Sequence, residues 1–215
     1  MLVGLSVFRL MAFTLTALIV IVIPGPSVLF VVSRALAAGR RVAILSVLGN
    51  SVGEYAQVVA VAFGLGALAE RSVAVFTVVK VIGGLYLIYL GIRTFRARRH
   101  LAGMLAGVGK PRSDRASFLE GVVVGATNPK TVVFMAAILP QFVRLGAGHV
   151  PLQMLLLGLV FSLVAVGSDS CWAVLAGGLR RWFERSPGRL EMIGGAGGLA
   201  IASVGAGLLL AGRRA

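Results

Sequence analysis

VPLQMLLLGLVFSLVAVGSDSCWAVLAGGL, residues 150–179, carries a single charged residue, Asp169. A run of this length exceeds the roughly 20 apolar residues that an α-helix needs to cross the hydrocarbon of a bilayer. Five further stretches read the same way: Leu5 to Pro24 with a continuation to Ser33, Val42 to Ala69, Ser72 to Ile92, Phe118 to Val143, and Met192 to Gly212. Each is near spanning length and holds few charges. No strand-like alternation accompanies them, and backbone groups in lipid must be satisfied internally, so the spans are expected to be helices. The fold class is all-α, a polytopic membrane bundle of about six transmembrane helices.

Composition agrees. The 215 residues are 58% hydrophobic and 13% charged, against about 45–50% apolar and about 25% charged in soluble domains. The net charge of +14 does not indicate a nucleic-acid partner. The basic residues sit in clusters between the apolar runs, as in loops that meet anionic lipid headgroups. The lone Cys171 excludes an intrachain disulfide and a CxxC redox site, and the two histidines, His100 and His149, lack metal-ligand spacing. No nucleophile–base set or phosphate loop occurs, so neither an enzyme nor an ATP-driven pump is expected, and no cofactor. Pro24-Gly25-Pro26 breaks the first apolar run and no small-residue cleavage site follows, so that run is read as a retained helix rather than a signal peptide.

Fourteen of the 21 Lys and Arg residues fall in the loops after the first, third and fifth spans. The positive-inside rule places those loops in the cytoplasm and both termini outside. A re-entrant first stretch would instead move the amino terminus inside. The chain divides into residues 1–92, a basic cytoplasmic loop over 93–117, and residues 118–215. The two halves resemble each other. Lys80-Val81-Ile82-Gly83-Gly84 in the third span answers Glu191-Met192-Ile193-Gly194-Gly195 before the sixth. Proline interrupts the first span and the fourth, at Pro129, and one acid lies in the second and the fifth. Three helices per half require the second half to be inverted, a pattern of secondary transporters with a midplane site.

Charge inside a bilayer is costly and usually faces a cavity or a partner. Glu54, Lys80, Lys130 and Asp169 each lie about 16–22 Å along their helices from the nearest basic loop, close to the middle of a core about 30 Å thick. One shared polar site is the expected meaning; two ion pairs that lock the bundle are the alternative. Pro24-Gly25-Pro26 and Asn128-Pro129-Lys130 add two helix breaks, each of which removes a backbone donor and exposes amides at the start of a half-helix. Two such breaks suit a carboxylate. Gly49/Gly53, Gly121/Gly125 and Gly194/Gly198 allow close helix packing, within the chain or in a homo-oligomer.

Taken together, Pro24-Gly25-Pro26-Ser27-Val28-Leu29, Leu48-Gly49-Asn50-Ser51-Val52-Gly53-Glu54, the segment from Lys80 to Arg93, Phe118-Leu119-Glu120-Gly121, Thr127-Asn128-Pro129-Lys130 and Leu139-Pro140-Gln141-Phe142 resemble the lysine and homoserine/threonine exporter family, the LysE/RhtB-type translocators. The resemblance covers nearly the whole chain. It implies export of amino acids or their derivatives across the bacterial inner membrane, driven by the proton gradient. It carries over Pro24, Gly25, Pro26, Glu54, Lys80, Asn128, Pro129 and Lys130; Asp169 joins them from its depth alone. Glu54 stands where the family commonly has Asp, so substrate does not carry over. The expected partners are a small zwitterion, protons and membrane lipid. A transporter of metal or other small ions and a non-transporting membrane scaffold are the rival readings.

Overall fold

A computed structural model describes residues 4–71, 73–97, 113–184 and 187–210, and these are helical with no strand among them. Helix α1 (Val7–Val22) starts at Ser6, whose hydroxyl accepts from Arg9 N. Phe13, Ala17, Val20 and Ile21 are buried on one side of it, while Phe8, Met11 and Leu15 are exposed on the other. Pro24 ends this helix. Helix α2 (Pro26–Ala38) begins with proline at its first position, where no intrahelical donor is needed. It stops at Gly39, whose φ of 89° is open to glycine without strain.

Helix α3 (Arg40–Arg71) and helix α4 (Val73–Ala97) follow. Most of the basic loop expected over 93–117 lies outside the described residues, but its edges are helical. Helix α4 runs on to Ala97, and helix α5 (Asp114–Thr127) starts at Ser113, which accepts from Ala116 N. Asn128 then ends α5 and caps the short helix α6 (Pro129–Val133). Beyond it the span is irregular, a π turn over Phe134–Ile138 and a 3-10 turn over Leu139–Phe142. Leu139 N reaches back to Phe134 O, and Pro140 has no N–H to continue an α-helical ladder. Helix α7 (Val150–Glu184) and helix α8 (Pro187–Leu210) complete the order.

Arg40–Gly64 and Val150–Ala176 are long and apolar enough to cross a bilayer unbroken. The pairs α1/α2, bent by 53°, and α5 with the segment Pro129–Phe142, bent by 43°, raise the candidate spans to four. Large apolar side chains face outward along the helices, among them Phe8, Ile82, Leu85, Leu163 and Leu199. Apolar area on this scale belongs against lipid. The molecule is thus a multi-pass helical membrane protein.

Helix α3 lies between α5 and α7, α2 packs into the α3–α7 groove, and α4 pairs along α8. The α3–α5 contact is backbone to backbone. A Cβ on Gly121 would strike Ser46 O, and one on Gly125 would strike Asn50 O, while Gly49 and Gly53 meet Phe118 and Val122 in return. Two of the small-residue pairs therefore pack within the chain, against each other. The α3–α7 contact is antiparallel. Ala43, Val47 and Ala173 share one apolar cluster, and Val58 fills the space beside Gly158.

Candidate functional site

The break after α1 leaves a carbonyl without its normal partner. In an unbroken helix Val20 O would accept from residue 24, but Pro24 has no N–H. The ammonium of Lys130 takes that place. Its Nζ donates to Val20 O at 3.1 Å and to Ile23 O at 3.0 Å. A cation also suits the partial negative charge at a helix C-terminus. Gly25 makes room for it, since a Cβ there would lie 3.2 Å from Lys130 Nζ. Lys130 is 5% exposed.

The second break is joined to the first. Asn128 Oδ1 accepts from Lys130 N at 3.1 Å, capping α6, while its Nδ2 donates to Ser27 Oγ at 2.7 Å in the first turn of α2. Ser27 Oγ in turn donates to Asn50 Oδ1 on α3 at 2.9 Å. One turn beyond Asn50 is Glu54, 4% exposed, whose Oε1 accepts from Thr131 Oγ1 at 3.0 Å. Asn50 and Asn128 lie near the same carboxyl, yet Glu54 Oε2 makes no hydrogen bond among the described residues.

Asp169 on α7 is also 4% exposed, and its charge acts on both Glu54 and Lys130. Among the described residues these three close into no ion pair; the pairs that form are Arg34–Glu120 and Arg41–Asp114, toward the basic end of the bundle. Phe13, Phe134, Phe142 and Phe161 meet in the apolar core through tilted and edge-on ring contacts, with centroids 5.1–5.9 Å apart.

Of the residues singled out in the sequence, Pro24, Gly25, Pro26, Glu54, Asn128, Pro129, Lys130 and Asp169 meet in this one region. Lys80 is half-buried on α4, and its charge is not among those acting on Glu54, Lys130 or Asp169. Ser27, Asn50 and Thr131 were not anticipated. Neutral polar residues are common in membrane helices and carry no sign of unusual cost; only their places beside Pro26, one turn before Glu54 and beside Lys130 set them apart. Among the described residues no group of His, Cys, Asp and Glu could hold a metal ion. The arrangement can bind and exchange cations and protons in a region withdrawn from water, between amides at two helix starts and carboxylates on two other helices.

Comparison with known proteins points to transport across a membrane. Residues 18–212 match the model of the LysE type translocator family. The chain is 31% identical over 204 residues to a homoserine/homoserine lactone efflux protein of Salmonella typhimurium, covering 95% of this chain and 97% of the relative. It is 33% identical over 177 residues to an uncharacterised membrane protein of Vibrio cholerae, covering 82% and 84%. An uncharacterised membrane protein of Bacillus subtilis is 32% identical over 165 residues, covering 73% and 78%. No solved structure matches the chain. The chain belongs to the LysE-type translocator family, and is a membrane transport protein rather than an enzyme.

Proposed function

We propose that this protein exports amino acids or amino acid derivatives from the cytoplasm across the bacterial inner membrane, by exchange with protons. The observation that carries this reading is the meeting of Glu54, Lys130 and Asp169, from three different helices, at two helix breaks tied together by Asn128 and Ser27. The efflux relatives support the substrate class.

In the proposed cycle the solute carboxylate faces the amide ends of α2 and α6, and its ammonium lies on Glu54 or Asp169. Lys130 holds the broken end of α1 and offsets part of the acidic charge. A proton arriving from outside on one of the two acids releases the ammonium, which makes the exchange an antiport. Six spans arranged as two inverted halves, 1–92 and 118–215 joined by the loop 93–117, fit the packing. Supporting this, α3 opposes α7 and α4 opposes α8, each pair antiparallel, as counterparts in inverted halves would be. The basic ends then lie in the cytoplasm against anionic lipid.

The test is release of free amino acids from dipeptide-loaded bacteria that lack their own exporters. Expression of the protein should speed release, and a protonophore should remove the gain. Unchanged release from cells with normal membrane levels of the protein would refute the assignment.

A further inference from the structure

Among the described residues, the buried side-chain atoms without a hydrogen-bond partner include Glu54 Oε2 on α3 and Ser162 Oγ on the facing helix α7, beside Gln57 Oε1 on α3. Glu54 and Ser162 are more than nine-tenths buried, at 4% and 7% exposure. An unpaired buried oxygen loses its bonds to water without replacement, so two on one seam call for a functional reason. The register sets them at the same level of the two helices. Val58 against Gly158 and Ala43 with Ala173 fix one antiparallel alignment of α3 and α7. In that alignment residue 54 lies opposite residue 162. Helical periodicity also keeps Ser162 on the same face of α7 as Gly158 and Asp169, within about 40° of each.

We propose that Glu54 Oε2 and Ser162 Oγ form a subsite that accepts the hydrogen-bond-donating ammonium of the transported solute, with Ser162 as a positioning residue that fixes where the amine sits along the α3–α7 seam. This rests on the transport reading above and extends it to a residue outside the charge cluster. The chemistry is specific. A primary ammonium has three N–H donors, and the seam offers a carboxylate oxygen and a hydroxyl oxygen that can both accept. Asp169, seven residues further along the same face, lies two turns from Ser162 and so marks the far end of the same acceptor track. A neutral alcohol or an anion would gain nothing comparable from it. The solutes favoured are therefore those with a free primary amine, and amine acylation removes the interaction.

The sequence supplies a clean probe, because Cys171 is the only cysteine and lies exposed on α7. In a Cys171→Ser background, Ser162→Cys is treated with an ammonium-bearing methanethiosulfonate and with a neutral one of similar size, each rate normalised to a free thiol. A carboxylate in a low-dielectric cleft raises the local concentration of a cation by about tenfold or more. The cationic reagent should therefore be favoured by that factor, and Glu54→Gln should remove the preference. The same preference in Glu54→Gln, or no reaction with either reagent in protein that keeps its helical content, would overturn the subsite. As a milder variant, Ser162→Ala should raise KM for an exported amine several-fold at equal membrane abundance; an unchanged KM would overturn it equally. The labelling preference needs no transported amino acid, so it separates failure of the subsite from failure of the export reading.

Discussion

Lys130 Nζ lies 3.1 Å from Val20 O, the carbonyl that Pro24 leaves without a backbone donor. A break written into the first half of the chain is thus completed by a side chain from the second. Lys130→Met keeps most of the stem and removes the charge. It leaves two helix-end carbonyls unpaired and two acids without their cation. The expected loss is about 1–3 kcal/mol of stability for each carbonyl left unpaired, read as a lower unfolding temperature in detergent, together with loss of transport. Lys130→Arg should retain some stability but crowd Gly25.

Asn128 bonds both to Lys130 N and to Ser27 Oγ, so its loss should exceed that of an ordinary helix cap. Asn128→Ala is expected to cost about 2 kcal/mol, a cap of about 1 plus a buried hydrogen bond of about 1. Ser27→Ala should cost about 1 kcal/mol. A double-mutant cycle of the two should show a coupling of at least about 0.5 kcal/mol, and additive effects would show that the link between the breaks carries no energy.

Much of this was legible in the chain. Apolar runs fixed the helical class, and proline marked both breaks, because a missing N–H acts locally. The cost of intramembrane charge singled out Glu54, Lys130 and Asp169. Lys80 was grouped with them by depth and by the family resemblance, and neither reports which way a side chain points around its helix. The network of Ser27, Asn50 and Thr131 was not legible, since cross-helix hydrogen bonds depend on which helices meet. The π turn at Phe134–Ile138 was hidden for a similar reason, as its residues are ordinary helix formers and only Pro140 hints at the irregularity.

Glycine offers a test of the α3–α5 contact. Gly125→Ala places a methyl against the backbone of Asn50, and overpacking of this kind costs about 1–3 kcal/mol. Gly167→Ala meets open space within a helix and should be neutral or stabilising by about 0.5–1 kcal/mol. Thermal unfolding of the two variants in the same detergent separates packing from helix propensity.

The two ion pairs at the basic end should differ in worth. Arg41 and Asp114 are 83% and 50% exposed, so Asp114→Asn should change stability by about 0–1 kcal/mol, and salt should mask even that. Arg34 is 7% exposed, and Glu120→Gln takes away a carboxylate that this buried guanidinium donates to. Its cost should exceed that of Asp114→Asn in the same melting experiment.

Purified protein in liposomes, with a pH-sensitive dye trapped inside, tests directly whether Glu54 and Asp169 couple solute movement to protons. Addition of an exported amino acid should drive a proton flux in the wild type. Glu54→Gln and Asp169→Asn, reconstituted at equal density, should reduce that flux or remove it. Proton flux in both variants equal to that of the wild type would contradict the account.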